Sequence, residues 1–255
     1  MPSLRRTTVK LSDMLYKRVE PIWQQALAQP FLTELATGTL DPQRYRNYML
    51  QDYGYLRGYM DILREMRDLA SAPELQVGAS APELQTTASA PELPAFLDAV
   101  LAETRRETEQ VHVPAMERLG ITVAELGTQA AETEPAAVIA AYLSYMAGKV
   151  REDGLLAGLT ALLQCSWHYA YIGREMTRRY GAQIAKSPYR DWFASYAAES
   201  YAAGNQRWID AVDQAAAGID VMGQETARLD DTTAEKLSDI FVTCAEYELQ
   251  FWKRL

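Results

Sequence analysis

Asp41-Pro42-Gln43-Arg44-Tyr45-Arg46-Asn47-Tyr48-Met49-Leu50-Gln51-Asp52-Tyr53-Gly54-Tyr55-Leu56 is the stretch that decides the fold. A capping carboxylate followed by proline is a strong helix start, because the missing N–H falls where no intrahelical partner exists. The helical pattern then runs to about Leu69. Upstream, Ser12 or Asp13 can cap a helix reaching about Leu35, with Pro21 early enough to be tolerated or to bend it. Downstream, a helix is expected from near Pro91 to Leu119, stopping at Gly120 and bent at Pro114. Later helices are expected over 134–151, 155–181, 188–217 and 232–253. Apolar residues recur in each at three- and four-residue intervals, whereas period-two alternation is scarce. Long helices with short connections imply an all-α protein, a compact helical bundle.

The chain has 255 residues, 48% of them hydrophobic, enough for one large domain or two small ones. Its 25 basic and 34 acidic residues give a net charge of −9. That balance argues against nucleic acid as a partner, since phosphate binding needs clustered Lys and Arg. Arg5-Arg6 and Arg178-Arg179 are isolated pairs. Residues Met1 to Lys10 lack an apolar stretch of signal-peptide length. No segment approaches the roughly 18 unbroken apolar residues that would span a membrane. The expectation is a soluble cytoplasmic protein.

The hexamer Ala-Ser-Ala-Pro-Glu-Leu occurs at 70–75, 79–84 and 88–93, a strict nine-residue period. That period is too short for stacking repeat architectures. Prolines 73, 82 and 91 interrupt any long helix. Ser89 is placed near the cap of the following helix and Glu92 in its first turn. The repeat reads as a tandem duplication in a surface connection over 70–93, where added length costs little loop-closure entropy.

Cys165 lies in Leu162-Leu163-Gln164-Cys165-Ser166-Trp167-His168-Tyr169, mid-helix with no turn signal. With only two cysteines in the chain, neither a disulfide framework nor a four-cysteine metal site accounts for it. It is either a small core hydrophobe or a nucleophile. Asp52 and Tyr55 share a helix face, with Tyr59 one turn on. Tyr142 pairs with Met146, Cys165 with Tyr169, and Trp192 with Tyr196, each four residues apart. Glu248 is followed by Phe251 and Trp252, and Cys244 precedes it by one turn. The chain has 15 Tyr against 5 Phe. A buried tyrosine offers both a stacking face and a hydroxyl that needs a partner, which suits a pocket for a planar polar heterocycle. Taken singly, each of these aromatics fits core packing equally well.

Glu109-x-x-His112 has the Glu-x-x-His spacing of di-iron carboxylate bundles, but the position three before His168 is Cys165. With two histidines in the chain no metal site is expected, and Glu109 and His112 read as an ordinary helix-surface or interhelix hydrogen bond. His168 is expected to pack near a pocket's edge.

Several segments together resemble the TenA family of thiaminase II enzymes. They are Pro30-Phe31-Leu32 to Gly38-Thr39-Leu40, then Tyr48, Gln51-Asp52 and Tyr55-Leu56. Ala161 to Cys165 with Trp167, Tyr169 and Ile172-Gly173 continue the match, as do Trp192 to Tyr196 and Tyr247-Glu248 to Phe251-Trp252. The match runs from about Leu11 to Trp252, so 1–255 is read as a single TenA-like domain. Departures are Gln164 where proline is expected, a slightly longer link from Cys165 to Trp192, and two surplus copies of the nine-residue unit.

This resemblance implies a haem-oxygenase-like helical fold, usually a homotetramer, and cofactor-free hydrolysis of aminopyrimidines in thiamin salvage. It maps the nucleophile to Cys165 and the acid/base glutamate to Glu248. It maps the pyrimidine-binding carboxylate to Asp52, the pocket tyrosines to Tyr55, Tyr142, Tyr169 and Tyr196, and apolar wall to Phe251. The residue types suit the chemistry: carboxyl groups polarise the ring, and a thiolate adds beside the aminomethyl-bearing carbon. The amine is then expelled, water captures the methylene, and sulfur departs. Free cysteine titrates near about 8.5, so part of the work is generating thiolate. A carboxylate near the sulfur would oppose that, which places Glu248 on the ring. Two other readings stay open: a pyrimidine-binding or regulatory helical protein without turnover, and a metal-dependent oxygenase of the same fold. A related synthase that oxidises a quinone precursor would be expected to use histidines and basic residues that are sparse here.

Overall fold

Asp41 caps its helix with the side chain, accepting from the Gln43 N–H at 2.7 Å, and Pro42 occupies the first turn. In the computed structural model, which describes residues 10–72, 92–122, 134–217 and 229–255, that helix continues for 30 residues. The elements in order are α1 (Leu11–Leu27), α2 (Pro30–Thr37), α3 (Pro42–Ser71) and α4 (Glu92–Glu107). A π-helical turn (Thr108–His112) leads into α5 (Val113–Arg118). Then follow α6 (Glu134–Asp153), α7 (Leu155–Ile184), α8 (Arg190–Tyr196), α9 (Glu199–Ala216) and α10 (Asp231–Arg254). The expected all-α class holds: no strand occurs among the described residues. None of their helices is long and apolar enough to cross a membrane. Nearly all of the nine-residue repeat, 73–91, lies outside the described residues, Ser89 included.

Three sequence expectations need correction. The first helix neither reaches Leu35 nor is capped by Ser12 or Asp13. It starts after Lys10, and Gln29 (ψ 137°) breaks it, because the residue before Pro30 is driven out of the helical region. Ser12 instead donates its backbone N–H and its hydroxyl to Asp213 of α9, at 2.8 and 2.7 Å. The 188–217 helix is two, split where Ala198 is extended (ψ 141°). The third, Glu92 to Leu119, is interrupted by the π-helical turn just before Pro114. Proline has no N–H for the Gln110 carbonyl and its ring crowds that position, so one wider turn absorbs the misfit.

α7 is the central rod, packed against α6, α8, α9 and α10, with α2 and α3 across it. Gly154 (φ 85°) lets α6 end and α7 begin without an intervening loop. The core is aromatic: Trp23 lies 5.0 Å from Tyr171 and 6.3 Å from Phe241, and Tyr48 stacks 5.9 Å from Trp252. Gly173 admits the end of α8 against α7. A Cβ at that position would lie 2.6 Å from the Tyr196 carbonyl carbon, closer than packed atoms approach. This contact fixes where Tyr196 stands.

Candidate active site

Five helices bring the polar groups together. A cavity of about 350 Å³ is lined by Asp52, Tyr55 and Tyr59 of α3, by Cys165 and Tyr169 of α7, and by Tyr196 at the end of α8. Asp52, Tyr55 and Tyr169 also line a small adjoining crevice, whose other walls include Tyr142, Glu248 and Phe251. All eight site residues expected from the sequence therefore border one connected set of walls. Cys165 and Tyr196 stand on the cavity side, and Tyr142, Glu248 and Phe251 on the crevice side. The periodicity explains the grouping: residues three and four apart on α3, α7 and α10 present one inward face each.

Asp52 is the most heavily bonded group. It is 4% exposed. Its Oδ2 accepts from the Tyr48 hydroxyl at 3.2 Å and lies 2.6 Å from His112 Nε2, and its Oδ1 accepts from the Tyr169 hydroxyl at 3.3 Å. Trp192 Nε1 in turn donates to Tyr48 at 3.0 Å. A carboxylate offers about four lone-pair sites, so three protein partners leave room for a ligand N–H. For His112, burial disfavours a charged ring. The hydrogen bond and charge of Asp52, with Glu107 nearby, more than offset this and leave its pKa raised.

The thiol is not poised as a free thiolate. Burial pushes the Cys165 pKa well above the ordinary value, and the neighbouring Glu248 carboxylate pushes it further. The Tyr55 hydroxyl, which has no hydrogen-bond partner of good geometry, lies near enough to counter part of that rise. Tyr55, Tyr142, Tyr169 and Tyr196 are all raised well above 10, chiefly by burial, so they are hydroxyl donors at neutral pH. Tyr142 donates to Gln164 Oε1 at 3.0 Å. Glutamine at that mid-helix position thus anchors a wall tyrosine, while its own Nε2 has no hydrogen-bond partner.

The expected Glu109–His112 hydrogen bond is overturned. Glu109 is exposed, and His112 pairs with Asp52 of α3 instead. His168 lines neither the cavity nor the crevice. It is fully buried behind them, stacked 5.4 Å from Trp23 with Nδ1 3.8 Å from Glu248 Oε2. Glu107 is a cavity residue that sequence reading passed over. Burial raises its pKa, His112 and a hydrogen bond from Tyr196 lower it, and Asp52 raises it. Five residues apart, Glu107 and His112 would diverge on an α-helix. The π-helical turn, closed by i→i+5 bonding, brings them together, with His112 Nδ1 3.5 Å from the Glu107 carbonyl. Pro114 carries the signal, since a proline inside a helical pattern forces a wider turn as well as a bend.

Residues 16–64 and 85–255 match the model of the TENA/THI-4/PQQC family, so the chain belongs to that family. An aminopyrimidine aminohydrolase of Halalkalibacterium halodurans is 29% identical to it, over 93% of this chain and 92% of that one. An aminopyrimidine aminohydrolase of Helicobacter pylori is 23% identical, over 96% and 97%. Among solved structures, a TenA homologue from P. horikoshii superposes with a TM-score of 0.71 at 25% identity, covering 96% of this chain and 97% of that one.

Proposed function

We propose that this TENA/THI-4/PQQC family member is an aminopyrimidine aminohydrolase of the thiaminase II type. It would convert 4-amino-5-aminomethyl-2-methylpyrimidine, and thiamin as a second substrate, to hydroxymethylpyrimidine for thiamin salvage. The observation that carries this reading is the meeting of Cys165 and Asp52 in one tyrosine-walled cavity, with Glu248 on the crevice that shares its Asp52, Tyr55 and Tyr169 wall. The curated relatives named for that activity support it.

In this reading Asp52 and the crevice tyrosines hold the ring, with Phe251 as apolar wall. Cys165 attacks the ring carbon next to the aminomethyl-bearing one. Because its resting form is the thiol, a proton must leave sulfur as the bond forms, and Glu248 is the adjacent carboxylate to receive it. Glu248 can then deliver that proton to a ring nitrogen, so the pyrimidine accepts the sulfur's electrons without developing full negative charge. Electron flow back through the ring breaks the exocyclic C–N bond. Water adds to the methylene and gives a proton to Glu248, and the sulfur departs with the C–S bonding pair and recovers the proton of the ring nitrogen. Tyr55, beside the thiol, steadies the sulfur's negative charge in both directions.

The reading also takes 1–255 as one domain and the enzyme as a cytoplasmic homotetramer that needs no cofactor. Light scattering on the eluted protein tests the assembly. Incubation with each substrate, with chromatographic measurement of hydroxymethylpyrimidine and ammonia, tests the function. Cys165→Ser should abolish product with helicity retained, and Glu248→Gln should lower kcat by orders of magnitude. A fully active Cys165→Ser protein would rule out the covalent route. Saturable binding of the aminopyrimidine without ammonia release would favour the non-catalytic alternative.

A further inference from the structure

The ring proposed for this site fills only part of the space. The crevice holds the groups suited to a pyrimidine edge, whereas the 350 Å³ cavity extends from Cys165 toward α4 and α9. At that end stands the Glu107 carboxylate. Tyr59 and Tyr201 line the same cavity as Glu107 and Cys165, so the two groups share an aromatic wall. The surroundings are rich in acceptors. Asn205, 7% exposed, lines the same end with an Oδ1 that has no hydrogen-bond partner. Arg106, the one cationic side chain among the described lining residues, is exposed, and Arg207, outside the lining, is paired with Glu103. His112 is committed to Asp52.

We infer that Glu107 forms a subsite for a positively charged leaving group: the ammonium of an aminomethyl substituent, or a bulkier cationic amine in its place. This rests on the pyrimidine reading above and specifies which substituents that site takes. Glu107 is a binding residue for the departing nitrogen. It exchanges no proton in this step, because the nitrogen arrives fully protonated. When the exocyclic C–N bond breaks, its electron pair goes to nitrogen, ammonia leaves neutral, and the positive charge passes to the ring. There it meets Asp52 and Glu248. The two acidic ends of the site thus hold the charge in turn, Glu107 before bond cleavage and the crevice carboxylates after it. The volume beyond Cys165 accommodates amines carrying alkyl or ring substituents, which a pocket sized for the ring alone would exclude.

The test compares wild type with Glu107→Gln, a near-isosteric change, using the aminomethylpyrimidine and the neutral product hydroxymethylpyrimidine. A charge-assisted hydrogen bond makes the expected loss about tenfold or more in KM for the amine. The inhibition constant of the hydroxymethyl compound should stay within about twofold. Glu107→Asp should recover part of the amine affinity, and Glu107→Ala serves in place of the glutamine variant should that one fold poorly. Equal weakening of both ligands would reduce Glu107 to a structural group, and unchanged amine affinity would overturn the inference outright. If wild type binds without turning over, the hydrolase reading fails, yet calorimetric affinities for the two compounds still report on Glu107.

Discussion

His112 Nε2 lies 2.6 Å from Asp52 Oδ2, joining the π-helical turn after α4 to the middle of α3 across 60 residues of chain. Both side chains are almost wholly buried. The pair holds the carboxylate in place from one side while the Tyr48 and Tyr169 hydroxyls hold it from others. The orientation of Asp52 is therefore set before any ligand arrives.

Asp52→Asn removes the hydrogen bond and charge that raise the His112 pKa, leaving burial as the dominant influence. The His112 titration followed by NMR should fall, and stability should drop by about 3 kcal/mol, as for a broken buried ion pair. In wild type the folded pKa of His112 exceeds the unfolded one. Its stabilising contribution is thus complete below about pH 6.5 and is lost as pH rises through the folded value. Urea melts at pH 6 and pH 9 check the sign, and a pair that gains stability at the higher pH would contradict it.

Cys165 should be slow to react with iodoacetamide at neutral pH, since burial and Glu248 keep it protonated. The rate should keep climbing with pH beyond the ordinary thiol range. Glu248→Gln removes the opposing charge and should shift that profile downward. The measurement is made in a Cys244→Ala background, because Cys244 is also buried beside Glu248. An identical profile in the two proteins would separate the thiol from the glutamate.

Gly173→Ala puts a methyl 2.6 Å from the Tyr196 carbonyl carbon. Overpacking of this kind costs about 1–3 kcal/mol, and relief requires α8 to move. Tyr196 would shift with it, so kcat should fall severalfold beyond what the loss of stability explains. Thermal melting alongside kinetics distinguishes the two, and a variant with wild-type kcat would show that α8 is not held by this contact.

Deleting residues 71–88 joins Ala70 to Ser89 and keeps one complete copy of the Ala-Ser-Ala-Pro-Glu-Leu unit. Helicity and activity should remain near wild type, because shortening the connection between Ser71 and Glu92 by two repeats changes closure entropy by only about 2 kcal/mol, in the direction that favours closure. Circular dichroism and turnover read the outcome, and loss of folding would make the repeats structural.

The sequence by itself determined the helices and the faces they turn inward. Proline and capping carboxylates act locally, so α3 and α10 start close to where the residue pattern places them. The three- and four-residue spacing puts Asp52 with Tyr55, and Cys165 with Tyr169, on common faces for the same reason. The family pattern then pointed to the eight site residues before any of them could be placed relative to another.

Only the tertiary structure decided the partners. Asp52 finds His112, not an acid three residues away, because α4 and the π-helical turn pack on α3 and the turn rotates that ring inward. Ser12 is tied to Asp213 from the far end of the chain, and Glu107 becomes a cavity group once α8 and α9 close over it. Helix periodicity carries no information about which faces meet. That choice is made by side-chain packing between elements distant in sequence, where a single wider turn redirects a histidine that local propensity leaves on the surface.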